Sequence, residues 1–433
     1  MIMSRQPVIL PYGSETVRVN IPTANLLGVY SPKDVPPVED VRSELRRALA
    51  HPIRSAPFRE LVAGKKKVVL IGDDNTRATP TDILIPLLLD ECNAAGVPDR
   101  DITVIIALGT HRFMTDDEIL RKYGREAVGR VVIKNHPYKD PDALVDLGTT
   151  ENGGRILVNR EVVEADFKVG IGSIVPHHIP GFSGGAKIIQ PGVSGEATTA
   201  YTHLLSARAP RSYLGILDNP VRTEMDAIAR KVGLHTILNT VLNRHEEVVE
   251  AFFGDVAAAF RAGVQKAIDV YAVEIPREAD IVLASSHPCD LEFWQAHKTQ
   301  YPGDLAVKAG GIIIVVTPCE EGVAQTHADM LDITCCSAER IRSMVSAGEL
   351  QDEVAAALAI AWAQVKERET VFIVSEGISP EEARKLGFEH FRDAQLALDE
   401  ALKRMGPDAE VTVLTHAPDM LPIIRTENWQ VHR

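Results

Sequence analysis

The sequence has little positive charge to spare. Its 46 lysines and arginines stand against 60 aspartates and glutamates, a formal net charge of −14. That balance argues against nucleic acid or an anionic membrane surface as partner. Basic residues that cluster in spite of it read as local anion sites. Cysteine is sparse and odd in number: Cys92, Cys289, Cys319, Cys335 and Cys336, with no CxxC pair. Neither a disulfide framework nor a zinc site is indicated. No apolar run approaches the roughly eighteen residues of a membrane span, and no apolar signal core opens the chain, so a soluble, cytoplasmic protein is expected. Several catalytic signatures are missing as well. There is no HExxH helix for a zinc hydrolase, no Walker order and no GxGxxG after an early strand.

What is present is a long α/β pattern. At 433 residues the chain is too long for one core, and 45% hydrophobic residues suffice to bury two. Apolar runs at 67–72, 102–108, 167–175 and 236–242 read as buried strands separated by helical stretches near 81–95, 223–231 and 256–270. Thr115-Asp116-Asp117-Glu118 is a capping-box pattern that starts another helix. The pattern resets at Glu274-Ile275-Pro276-Arg277, which divides the chain into domains at 1–272 and 273–433. In the second half, 280–284, 312–316 and 411–414 are strands, and Ser379 caps a helix. Alternation in both halves predicts two α/β sheets, each delivering polar clusters at its strand ends.

The richest stretch runs from Ser173 to His203. A histidine pair, His177 and His178, precedes a glycine-rich turn from Gly181 to Gly185; Lys187 follows, and His203 lies beyond. The amides of residues 183–186 could cradle a phosphate, or the loop could be a plain strand-to-helix turn. A lysine in an apolar pocket has a further option, covalent attachment to a cofactor. Any one histidine reads as a core or surface residue. Four of them (His111, His177, His178, His203) near glycine-rich strand ends suit acid–base work or ligation of nickel or zinc. Two earlier strands end in Asp73-Asp74-Asn75-Thr76-Arg77 and Gly109-Thr110-His111-Arg112. Arg77, Gln295 and Lys298 suit a substrate carboxylate: a fork, an orienting amide and a point charge.

Together the motifs GDDNTRATPTD, ALGTHRFMTDDE, IVPHHIPGFSGGAKIIQPGVSGE, NPVRTEM and SSHPCDLEFWQAHK resemble the lactate racemase family, the nickel-pincer-nucleotide enzymes. The resemblance spans about Val68 to Gly322. It implies two Rossmann-like α/β domains with the active site in the cleft between them. It implies a nickel-pincer nucleotide (a nickel(II) pyridinium-3,5-bisthiocarboxylic acid mononucleotide) joined covalently to Lys187, with His203 as metal ligand. Asp74, Asn75, Thr76, Arg77, Ser183, Gly184 and Gly185 match the positions that hold the nucleotide. His111 and His177 match the two proton-transfer histidines, Arg77 the arginine at the reacting centre, and Gln295 with Lys298 the substrate-binding pair. The implied reaction is racemisation or epimerisation of a 2-hydroxy acid by reversible hydride transfer. The implied partners are that small acid and the enzymes that make the cofactor. Two other classes stay open on the residues alone: a nicotinamide-dependent 2-hydroxy-acid dehydrogenase and a non-catalytic nucleotide-binding protein. The missing GxGxxG counts against the first, and the paired histidines against the second.

Overall fold

Stretches of valine, isoleucine and leucine that are apolar on both faces can only be satisfied inside a sheet covered on both sides. Two such sheets form. The computed structural model describes residues 4–425. The first sheet has the strand order Val248–Gly254, Thr236–Leu242, Phe167–Ser173, Val68–Asp73, Ile102–Ala107, Val132–Asn135. All neighbours are parallel except the first pair, which is an antiparallel hairpin. Every residue of Val68–Asp73, Phe167–Ser173 and Thr236–Leu242 is buried. At roughly 1.5–3 kcal/mol for each large aliphatic side chain buried, these central strands anchor the half of the molecule they run through.

The second sheet has the order Glu389–Phe391, Thr370–Val374, Val307–Val316, Ala279–Ser285, Val411–Leu414, Leu26–Tyr30, all parallel. Its last strand departs from the expected division at 272 and 273. Leu26–Tyr30 pairs with Val411–Leu414, and the hairpin Arg5–Tyr12/Glu15–Pro22 buries Val8, Leu10, Val19 and Ile21 against Ile281, Leu283, Ile312 and Ile314. The first thirty residues therefore pack with the C-terminal half. A parallel edge strand gains its partner only through long-range pairing, and no local pattern announces which sheet will accept it.

Helix boundaries follow local chemistry. Thr115 caps Asp116–Arg130 with Glu118 returning the bond to the Thr115 backbone, as the capping box predicts. Ser379 and Glu382 do the same for Pro380–Leu386. Asn219 caps Pro220–Val232, which ends on the left-handed Gly233. The C-terminal ends of both sheets face one cleft, where open α/β sheets carry their ligands.

Candidate active site

The cleft measures about 950 Å3 with its open mouth. The first sheet brings four segments to it. The strand Val68–Asp73 runs into Asp74 and Arg77, and Ile102–Ala107 into His111. Phe167–Ser173 runs into His177 and the glycine loop, and Thr236–Leu242 carries Asn239. Trp294, Gln295 and Lys298 close the cleft from the second half, on the short helical turns that begin at Phe293.

A continuous hydrogen-bonded chain links the two halves. Asp74 is buried, and its Oδ2 accepts from His111 Nδ1 at 2.6 Å. Burial alone would raise the Asp74 carboxyl, but the charge and hydrogen bond of His111, with Arg77 and Thr76, hold it well below the usual carboxylate range. With Nδ1–H committed to Asp74, the lone pair of His111 sits on Nε2. The Gln295 amide Nε2 donates to that atom at 3.0 Å. Gln295 Oε1 in turn accepts from Lys298 Nζ and, at 3.5 Å, from Arg77 Nη1. Burial, then Arg77, pushes Lys298 down to about 8.

His177 has the complementary state. The Ile179 backbone N–H donates to its Nδ1 at 3.2 Å, so the ring proton of neutral His177 lies on Nε2. Burial, then the positive charges of Lys187, His178 and Lys298, keeps it far below the ordinary histidine value. His178 stacks on His177 (4.7 Å) and on Tyr301 (4.2 Å), and neither of its ring nitrogens has a partner among the described residues.

The glycine loop is shaped by its backbone. Gly181 has φ +83°, and a Cβ there would lie 2.0 Å from the Ile216 carbonyl oxygen. Gly184 has φ +82°, with Ile174 and Asn239 within 3 Å of any added Cβ. The loop amides are partly used within the protein. Ser183 N–H donates to the Val175 carbonyl and Gly185 N–H to Asn239 Oδ1 at 2.8 Å. The Ser183 hydroxyl bridges Ser173 O and Val175 N–H. Two of the amides that the sequence offers to a phosphate are thus occupied. Arg222, from the NPVRTEM motif, donates to the Phe182 and Gly184 carbonyls and stacks over Phe260. Asn239 and Arg222 hold this loop; the motif marked Arg222, while nothing local marks Asn239.

Lys187 sits on the one-turn 3-10 segment Gly185–Ile188. Its ammonium has no hydrogen-bond partner among the described residues. Burial first, then Arg77, Lys298 and Arg222, pulls it far below the ordinary lysine value, so the free amine is favoured. His203 lies on the helix Glu196–Ser206, which the sequence reading does not foresee. Its Nδ1–H donates to the Thr199 carbonyl one turn back, at 2.8 Å, which leaves Nε2 with a lone pair in the cleft. Burial pushes it down to about 4. Among the described residues no three His, Cys, Asp or Glu side chains converge as metal ligands. This donor set, a nucleophilic lysine and one open imidazole nitrogen lining the same cleft, fits a metal brought in by an organic group. Two of the expected nucleotide positions lie differently. Asn75 is exposed and donates to Glu118 at 3.2 Å, and the Thr76 hydroxyl is bound to Asp74 at 2.6 Å.

Comparison with known proteins agrees over most of the chain. Residues 12–215 match the model of the lactate racemase N-terminal domain, and 275–423 that of the C-terminal domain. A lactate racemase of Thermoanaerobacterium thermosaccharolyticum is 32% identical over 319 residues, 72% of this chain and 74% of that protein. One from Lactiplantibacillus plantarum is 29% identical over 433 residues, covering 96% and 98%. The solved lactate racemase apoprotein of T. thermosaccharolyticum superposes with a TM-score of 0.86 at 27% identity, over 96% of this chain and all of that one. A Thermotoga maritima protein, at 20% identity and a TM-score of 0.70, shares the fold.

Proposed function

The chain belongs to the lactate racemase family and is an isomerase of that class; from that premise we propose that it inverts C2 of a 2-hydroxy acid by hydride transfer, using a nickel-pincer nucleotide tethered to Lys187. The observation that carries the reading is the meeting, in one cleft, of a deprotonation-prone lysine, a histidine with its Nε2 open, and two histidines held as opposite tautomers.

Bound at Lys187 and His203, the cofactor supplies an acceptor, and later a donor, for the C2 hydrogen as a hydride. Lys187 contributes its free amine to the covalent link and His203 its Nε2 to the metal. Arg77 and Lys298 hold the substrate carboxylate as fork and point charge. The substrate hydroxyl takes the place of the Gln295 amide at His111 Nε2, which accepts its proton as the hydride leaves C2. Asp74 holds His111 in the tautomer that makes Nε2 the base and stabilises the imidazolium that forms. His177 would serve the hydroxyl of the opposite enantiomer as an imidazolium that gives up its Nε2 proton and recovers one from solvent, while the proton taken by His111 returns to solvent. The flat 2-oxo acid formed between the two steps is kept from water by Trp294 and the second-half residues over the cleft.

The test is the intact mass of protein expressed with nickel and the cofactor-making enzymes, beside Lys187→Ala and His203→Ala. The reading expects a nucleotide-sized addition on wild type, none on Lys187→Ala, and an addition with reduced nickel on His203→Ala. Unmodified wild type, in a host that loads a control racemase, would remove the reading. Net oxidation of substrate with added NAD would bring a dehydrogenase in its place.

A further inference from the structure

A second cavity opens behind the carboxylate-binding pair. It measures about 570 Å3 with its mouth and shares Arg77, Ser173, His177 and Lys298 with the main cleft. Lys187 and His203 line the main cleft but not this cavity. An acid whose carboxylate rests on Arg77 and Lys298, with C2 toward the cofactor, has this cavity as the room for the rest of its chain.

The walls are specific. Asp419 ends the 3-10 turn Ala417–Asp419 and lines the cavity, with no hydrogen-bond or ion-pair partner for its carboxylate among the described residues. Burial pushes it up to about 6 against the pull of Lys298 and Arg77, and Glu246 adds to the rise. Glu246 lines the same cavity and holds a left-handed backbone, φ 61°. The Asn243 side chain fixes that turn by accepting from the His245 and Glu247 amides. A non-glycine residue kept in that region by its surroundings is a cost that functional sites tend to carry. The Tyr271 hydroxyl is already bound to the Leu242 carbonyl at 2.6 Å and does not compete for a ligand.

Two carboxylates facing one cavity select by charge. Substrate hydroxyls can donate to them. A second substrate carboxylate is repelled, and an alkyl chain leaves Asp419 desolvated without a donor. We propose that this cavity receives the substrate side chain, that Asp419 is its specificity-determining residue, and that the acid carries a neutral, hydroxyl-bearing chain of several carbons. The proposal rests on the racemase reading above.

The test uses the loaded holoenzyme with threonate, malate and lactate, reading both inversion at C2 and calorimetric binding. Threonate and malate have four carbons each and differ in the chain's charge. Wild type is expected to favour threonate over both others by at least tenfold in kcat/KM. Asp419→Asn should narrow the threonate-to-malate ratio about tenfold, chiefly by improving malate. Glu246→Gln, at the exposed mouth where folding is not at risk, should narrow it about threefold. Preference for malate or lactate, or an unchanged ratio in both variants, overturns the pocket assignment while the racemase reading stands. Threonate-selective binding that depends on Asp419, with no acid inverted, removes the racemase reading and leaves the pocket. Binding of none of the three removes both.

Discussion

His111 and His177 carry the same side chain in opposite hydrogen-bond states, and that difference comes from one neighbour each. Asp74 fixes the His111 proton on Nδ1, and the Ile179 amide fixes the His177 proton on Nε2. Asp74→Asn would keep the shape but let His111 present the wrong tautomer, so kcat for inversion should fall about 100-fold or more, with KM little changed. Polarimetry on the loaded variant measures it. Lys298 gives the pH dependence. Its folded value, about 8, lies below the ordinary lysine value, so the ammonium is present below that pH and lost as pH rises through it. KM for the acid should be flat near pH 7 and climb about tenfold per unit once well above 8, while Lys298→Arg should push the climb out of range. The residue types of this site were legible because chemistry restricts them. Asn239 and Thr199 were not, because each works through a backbone group, the Gly185 amide and its own carbonyl, that no side-chain pattern encodes.

At the scale of elements, the glycine loop is the most constrained piece of the site. Gly181→Ala combines a left-handed φ with a backbone oxygen 2.0 Å from the new Cβ, and should cost about 2–4 kcal/mol in denaturant unfolding. Gly153→Ala has a similar φ, +89°, with nothing within 4 Å, and should cost about 1 kcal/mol. Equal costs would show that the loop's close approach to Ile216 contributes nothing. The strands Thr236–Leu242 and Val411–Leu414 and the capping box at Thr115 fall where the sequence predicts them, since an all-apolar run or a cap is a local signal. The helix Glu196–Ser206 was hidden by its composition. Thr198, Thr199 and Thr202 are buried on it; the Thr198 hydroxyl accepts from the Leu157 amide, and Gln190 donates to the Thr198 carbonyl and the Thr202 hydroxyl. Such a face has no apolar periodicity to read.

At the scale of the whole molecule, the site exists only where the halves meet. Gln295 reaches His111 and Arg77 across the cleft, and Arg112 forks between Glu118 of its own half and Glu321 of the other. The sequence announces two sheets and their polar strand ends. It does not announce that Leu26–Tyr30 closes the second sheet, because that pairing spans most of the chain. In the proposed reaction C2 inverts by hydride transfer, and the histidines handle only the hydroxyl proton. Racemisation of a 2-hydroxy acid carrying deuterium at C2, run to equilibrium in ordinary water by the loaded enzyme, tests this most directly. With hydride transfer both enantiomers keep the label by mass spectrometry. Label lost to solvent at each inversion would mean that a histidine removes the C2 hydrogen as a proton, and would contradict it.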